Sequence, residues 1–99
     1  MQEKHILLLR ICKKEFEELV TGKLHARYLE VKPYWETRLF ESDGSPKKFD
    51  EVHIKNGYKS DSPLAIFEYK GTHGPQIHNG KNCFQIPLGD LISVENYTK

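Results

Sequence analysis

The chain has 99 residues, of which 37% are hydrophobic and 29% are charged, a composition typical of one globular domain and unlike that of a disordered tail. Its formal net charge is only +1, which argues against a strong, sequence-independent nucleic-acid binder but leaves room for a local basic patch. Five Phe, five Tyr and one Trp supply core mass and also candidates for a stacking surface.

The two cysteines, Cys12 and Cys83, stand far apart and belong to no Cys-x-x-Cys or Cys/His cluster, so a zinc site is not expected. A disulfide is not needed, and we expect two reduced, buried thiols, as is usual in cytosolic proteins. The apolar run from Ile6 to Leu9 is too short to span a membrane and follows no signal-like segment. These features predict a cytoplasmic protein with no membrane partner.

The first two elements follow from a change in hydrophobic period near residue 12. The run from His5 to Ile11 is nearly continuous in Ile and Leu, which predicts a strand buried on both faces. From Cys12 onward apolar residues recur at helical spacing, and Gly22 is placed to end the helix in the left-handed conformation. The apolar positions of this amphipathic helix are Phe16, Leu19 and Val20.

The middle of the chain predicts two strands separated by a helical turn and a loop. His25 to Val31 contains aromatic and β-branched residues typical of a strand, and Pro33 suits the first position of a helical turn that runs to Phe40. Glu41 to Lys48 is polar and predicts a surface loop. Phe49 to Lys55 alternates as a half-buried strand does, and Asn56-Gly57 marks a tight turn after it.

The last third of the chain predicts three more strands and a loop. Leu64 to Tyr69 is the first of these strands, and Gly71 to Gly80 is rich in Gly, His, Asn and Pro and predicts a loop. Cys83 to Ile86 and Leu91 to Val94 predict two short strands, interrupted by a proline and a glycine. One early helix and several short strands indicate an α+β fold, in a single domain over residues 1–99. Its sheet is expected to be mixed, largely antiparallel and curled into a small barrel.

Several segments of the chain occur in a recognisable order: the strand Ile6 to Ile11, the helix that ends at Gly22, and Ile86 to Gly89 near the end. Together they resemble the ASCH domain, a PUA-like β-barrel family. A phage-associated branch of that family carries a Pro-Tyr-Trp-x-x-Arg-Leu element and a later Asn-Gly-Tyr, which stand here as Pro33 to Leu39 and Asn56 to Tyr58. The resemblance covers most of the chain. It implies a small PUA-like mixed β-barrel with one N-terminal amphipathic helix and a short helical turn.

The family signature, G-x-K-x-x-E-x-R, spans the end of the helix and the second strand. Gly22 matches its glycine, but the lysine, glutamate and arginine positions hold Leu24, Arg27 and Leu29. Some family members resemble amidohydrolases that act on N4-acetylcytidine, a reaction that needs a base and a cation to hold the developing oxyanion. Because these groups are replaced, the signature favours binding over catalysis in this chain.

The cations and aromatic residues between Gly22 and Leu39 predict a cleft that binds RNA, a nucleotide or a modified nucleobase. Guanidinium groups hold phosphates or base edges, and aromatic rings stack on bases. We expect Arg27 and Arg38 to fill the first role. The other predicted ligand contacts, the aromatic rings and the turn beside them, are Tyr28, Trp35, Asn56, Gly57 and Tyr58. Two structural alternatives remain: Trp35 could plug the barrel, and Asn56-Gly57 could serve only as a turn.

An enzymatic function is the first alternative. It would be hydrolysis of an acylated nucleoside such as N4-acetylcytidine, with Lys23 or His25 in place of the missing lysine and Glu68 as the base. Glu68 could equally be a solvent-facing strand residue.

A protein-interaction module of viral origin is the second alternative, favoured by any large exposed apolar patch around Tyr34, Trp35 and Phe40. His73 and His78 lie in the predicted loop without nearby Cys or carboxylate ligands, so neither a metal nor another cofactor is expected. The chain is expected to be a monomer or a weak dimer.

Overall fold

The computed structural model describes residues 4–97, so the first three and last two residues of the predicted domain lie outside the described part. Within this range the chain forms two short helices and six strands. In chain order they are β1 (Ile6–Arg10), α1 (Lys13–Val20), β2 (Ala26–Glu30), α2 (Pro33–Leu39), β3 (Glu51–Lys55), β4 (Leu64–Tyr69), β5 (His73–His78) and β6 (Lys81–Glu95).

The six strands form one curled sheet, a half-barrel, in the order β1-β3-β4-β6-β2, with β5 paired to β6. β1 runs parallel to β3, and the remaining pairs are antiparallel. The prediction of an α+β fold with a mixed, largely antiparallel sheet is therefore confirmed. The parallel pairing brings the start of the chain beside β3 and leaves β1 at one end of the strand order.

α1 and α2 form where the sequence predicts them. α1 buries Phe16 and Leu19, and its last turn is closed by the Thr21 hydroxyl, which donates to the Glu17 carbonyl at 2.8 Å. Gly22 follows with a φ of +83°, the left-handed conformation expected of a glycine that ends a helix. α2 begins at Pro33, whose missing N–H is not needed in a first helical turn.

β1 is buried on one face only, and the prediction that both faces are buried is wrong. Leu7 and Leu9 are 4% and 2% exposed, whereas Ile6 and Leu8 are 43% and 41% exposed. Leu7 and Leu9 belong to the core cluster, whereas the face that carries Ile6 and Leu8 is not fully covered by the rest of the described chain. The residues of β1 are therefore alternately buried and exposed, although the sequence is apolar at both kinds of position.

The segment predicted to be a loop, Gly71 to Gly80, contains a strand. β5 pairs with β6 through matches such as Ile77 with Asn82. Five of the six β5 residues are exposed, so this strand has no buried face and no apolar alternation that a sequence pattern could reveal. It is held by the ladder with β6 and by the contact of His78 with Tyr28 of β2.

The two short strands predicted near the end are one strand of 15 residues. β6 changes partner where the interruption was expected: Pro87 pairs with Ala26 of β2, and Leu88 pairs with Tyr69 of β4. At Gly89 a Cβ atom would lie 2.8 Å from the Cβ of Glu68, so glycine permits a close approach of the two strands. The proline and glycine therefore mark a change of neighbour within a continuous strand.

The core is one cluster that draws on both helices and on every strand except β5, with Phe16, Leu39, Val52 and Ile54 fully buried. Both cysteines are free, as predicted. Cys83 is buried, but Cys12, at the junction between β1 and α1, is exposed, so the prediction of two buried thiols is wrong for Cys12. Within residues 4–97 no helix is long and apolar enough to cross a membrane.

Candidate functional site

The structure does not gather the predicted ligand residues into one cleft. Successive side chains of a strand point to opposite faces, so Arg27 and Tyr28 of β2 face opposite ways. Arg38 lies on α2, and Asn56 to Tyr58 follow β3. Each group has its own surroundings.

Arg27 faces α1 and forms an ion pair with Glu15. Its side chain is 18% exposed, and its buried Nε atom has no hydrogen-bond partner among the described residues. Leu29, two positions on, is buried on the same face. The Arg27 guanidinium therefore helps to fasten α1 to β2 and is already engaged with a carboxylate.

Tyr28 lies on the other face of β2. Its ring stacks on His78 of β5, with ring centroids 3.6 Å apart and planes 3° from parallel, and its hydroxyl accepts a hydrogen bond from Gln85 at 3.2 Å. Lys23 and His25 line a shallow hollow of about 480 Å³ with Tyr28 and Gln85. This hollow contains two of the three residues proposed for hydrolysis.

Glu68, the third, does not line that hollow. Its side chain is 44% exposed and accepts a hydrogen bond from the Asp90 N–H at 3.0 Å, with Lys70 at 3.6 Å. The Asp90 N–H and then the Lys70 charge hold the pKa of the Glu68 carboxyl below its usual range. A base for hydrolysis near neutral pH needs a raised carboxyl pKa, and these contacts lower that of Glu68. Glu68 instead links β4 to β6 through its hydrogen bond from Asp90.

The Asn56-Gly57-Tyr58 segment begins the loop over residues 56–63 that joins β3 to β4, and the prediction of a tight turn at Asn56-Gly57 is wrong, because the turn lies at Lys59 to Ser62. The Asn56 N–H donates to the Pro63 carbonyl at 3.0 Å, and Gly57 has a φ of +124°. Tyr58 is 84% exposed, and the guanidinium of Arg10 lies 4.9 Å from its ring centroid. The loop thus presents Tyr58 beside the end of β1.

A groove of about 450 Å³ runs between β1 and α2. We call it the β1–α2 groove, and it is lined by His5, Ile6, Leu7, Leu8, Arg10, Tyr34, Arg38, Lys47 and Phe49. Arg38 stacks on the Tyr34 ring at 3.5 Å from its centroid and donates to the Tyr34 carbonyl at 3.1 Å. Trp35 is partly buried against the core and packs edge-on to Tyr34, with centroids 4.9 Å apart and planes at 86°. Trp35 therefore contacts a residue of the groove lining but does not line the groove itself.

The groove is electropositive. Three of its lining residues, Arg10, Arg38 and Lys47, are cations, and none is a carboxylate. Two acids lie near the His5 end of this lining: Asp50 accepts the His5 N–H at 2.8 Å, and Glu51 contacts Lys4 at 2.9 Å and His53 at 3.0 Å.

These contacts fix the charge of Glu51. The hydrogen bond from His53 and then that from Lys4 hold the pKa of the Glu51 carboxyl below its usual range. Its charge is thus balanced by partners outside the lining of the groove. The three lining cations remain available to an anionic ligand.

Sequence reasoning found Arg38 and Tyr58 but missed Arg10, Lys47 and His5. Ile6, Leu8 and Arg10 are spaced two residues apart on β1, so they lie on the same, open face. This spacing was the one signal in the sequence that could have placed Arg10 there. Lys47 comes from the loop after α2, and nothing in the sequence indicates that this loop meets β1.

No three His, Cys, Asp or Glu side chains come together as a possible metal site within residues 4–97. His73 and His78 both lie on β5, where His78 is occupied by its stack on Tyr28. No protein-family model, curated protein sequence or solved structure matches this chain.

Proposed function

We propose that this chain is a binding module for a nucleotide or for single-stranded RNA, and that the ligand lies in the β1–α2 groove. The observation that carries the proposal is the lining itself, which contains Arg10, Arg38 and Lys47 and no carboxylate. Guanidinium and ammonium groups in this arrangement suit the phosphates of nucleic acid. The low net charge of +1 fits a small contact area.

The aromatic residues give the groove a means to hold bases. Tyr58 is 84% exposed and stands beside Arg10, and Tyr34 is 54% exposed beneath Arg38. Bases of single-stranded RNA stack on tyrosine rings and on the planes of arginine guanidinium groups. In this proposal Arg10 and Tyr58 hold one end of the ligand, and Arg38 and Tyr34 hold its middle.

We also propose that the half-barrel is a PUA-like domain of the ASCH type. The order of a first strand, a helix ended by Gly22, a second strand and the helical turn at Pro33 is the order expected for that family. The groove proposed here lies elsewhere than the family signature segment, where Leu29 is buried and Arg27 is paired with Glu15. A cytoplasmic location suits the two free thiols.

The emission of Trp35 provides the test, because its indole packs on Tyr34 and Tyr34 lines the groove. We expect uridine monophosphate or oligouridylate to change this emission in a saturable, salt-sensitive way. Arg38→Ala removes a cation that can make charge-assisted hydrogen bonds, so we expect affinity to fall roughly tenfold or more.

The matched control is Lys14→Ala, which removes one exposed positive charge from α1, outside the groove. Its affinity should stay within about twofold of the parent chain, because long-range charge effects are screened by salt. Flat titrations with both ligands, or equal losses in the two variants, would remove the proposal.

A protein partner is the second candidate, because Ile6, Leu8 and Tyr34 expose apolar area along the same groove. Such a partner would depend on these side chains more than on the cations. Leu8→Ser should strongly weaken the binding of a protein partner and only slightly weaken the binding of RNA. Arg38→Ala should strongly weaken RNA binding and only slightly weaken the binding of a protein partner.

A further inference from the structure

A second hollow continues the β1–α2 groove beyond His5. We call it the loop hollow; its volume is about 550 Å³, and its lining is His5, Glu41, Ser45, Pro46, Lys47, Lys48 and Phe49. Three of these residues, His5, Lys47 and Phe49, also line the β1–α2 groove. The two hollows therefore meet at these three side chains and form one path.

Backbone hydrogen bonds hold the junction in place. The Lys47 N–H donates to the Leu39 carbonyl at the end of α2 at 2.9 Å, and the Asp50 N–H donates to the His5 carbonyl at 2.7 Å. The loop that bears Lys47 is thus tied to α2, and the start of β1 is tied to the segment before β3. The path is part of the folded scaffold on both sides of the junction.

Four permanent cations line the combined path. Arg10, Arg38 and Lys47 lie in the groove, and Lys48 adds a fourth in the loop hollow. β1 alone spans about 13 Å at roughly 3.3 Å per residue, and the loop hollow extends the path beyond it. Glu41 is the single carboxylate in the lining, and it belongs to the loop hollow.

This arrangement distinguishes a strand from a mononucleotide. A mononucleotide brings one phosphate group, which can engage only the cations at one point of the path. A strand brings one phosphate for each nucleotide and can place them in turn along all four cations. Arg10 and Arg38 line only the first hollow and Lys48 lines only the second, so a ligand confined to one hollow contacts part of the set.

We infer that the ligand of this site is a single strand of several nucleotides that crosses both hollows and presents about four phosphates to the protein. The inference rests on the proposed function, because it concerns the length of a ligand bound in the same groove. It adds Lys48 as a contact that only the longer ligand reaches. At that end the carboxylate of Glu41 repels the phosphates of the nucleic-acid strand.

The experiment compares uridine monophosphate with oligouridylates of increasing length, followed by Trp35 emission over a range of salt concentrations. Affinity should rise with length until about four phosphates are engaged and then level off. The plot of log K against log salt should steepen toward about −3 for the strand, since each neutralised phosphate of a single strand contributes about −0.7. The slope for the monophosphate should be much shallower.

Two charge variants test the loop hollow. Lys48→Ala should lower the affinity for a longer oligouridylate by about threefold to tenfold, reduce the salt slope by about 0.7, and leave the affinity for uridine monophosphate unchanged. Glu41→Gln should raise the affinity for the oligouridylate only. Lys14→Ala on α1 serves as the control for a general loss of charge.

The outcomes separate the two proposals. Equal affinities for monophosphate and oligomer, or a Lys48→Ala variant that binds both as the parent does, would overturn the inference and leave the groove as a nucleotide site. Failure of both ligands to bind would overturn the proposed function itself. Polyglutamate that binds as tightly as oligouridylate would overturn the assignment to nucleic acid and indicate an acidic protein partner.

Discussion

Gly57 holds a backbone conformation that residues with a side chain rarely adopt, since its φ is +124°. A Cβ atom added there would lie 2.8 Å from the Ser62 hydroxyl oxygen. That hydroxyl is buried and accepts the Lys59 N–H at 3.0 Å, so it cannot move away freely. The glycine is therefore required by the loop that presents Tyr58.

Gly57→Ala should lower the free energy of unfolding by about 1–3 kcal/mol, measured by urea denaturation, because it adds backbone strain to a steric contact. Gly44→Ala is the matched control: its φ is +89°, and nothing lies within 4 Å of the added atom. It should lower the free energy of unfolding by only about 1 kcal/mol, the cost of a side chain in the left-handed conformation. Equal losses in the two variants would show that the contact with Ser62 has no effect.

Some positions of single residues could be predicted from the sequence, and others depend on contacts between distant segments. Strand alternation places Arg27 and Tyr28 on opposite faces of β2, so one cleft on this strand cannot be lined by both. It did not reveal that Glu15 on α1 would pair with Arg27, because that contact depends on how the helix docks. The same limit applies to Arg10 and Lys47, which meet only through the fold.

At the scale of elements, β1 combines a stabilising face and an exposed face. Leu9 is 2% exposed and packs in the core, whereas Leu8 is 41% exposed and lines the β1–α2 groove. A buried leucine contributes transfer free energy and fills volume, and a half-exposed one contributes much less. The strand can therefore be altered on its open face without unfolding the protein.

Leu9→Ala should lower the free energy of unfolding by about 2–5 kcal/mol, and Leu8→Ala by less than about 1 kcal/mol. Chemical denaturation of the two variants measures the difference directly. The pair is well matched, because both changes remove the same atoms from adjacent positions of one strand. Similar losses would mean that both faces of β1 are buried, as its apolar sequence alone indicates.

The elements that the sequence predicted well are those with a strong period of their own. α1 shows helical spacing and a terminating glycine, and β4 was predicted with the bounds it has, Leu64–Tyr69. β5 and the continuity of β6 were missed because both depend on neighbours. β5 is exposed along most of its length and exists through its pairing with β6.

At the scale of the whole molecule, stability should be distributed unevenly across the sheet. β4 lies between β3 and β6 and buries Ala65 and Phe67, so its amides are protected on both sides. β5 pairs with β6 alone and is exposed at five of six positions. Local opening of β5 breaks one ladder and exposes little apolar surface, whereas opening of β4 disrupts the core.

Amide hydrogen exchange of the native protein should therefore be slowest in β4 and much faster in β5, where exchange proceeds by local opening. Leu9→Ala lowers the global free energy of unfolding, so it should accelerate amide exchange in β4. Exchange in β5 should stay nearly unchanged, because β5 already opens independently of the core. Oligouridylate should slow exchange in β1, which lines the groove, and leave β5 as it was. Protection of β5 equal to that of β4 would show instead that this strand unfolds only with the core, and its exposed residues would then contribute more than their burial indicates.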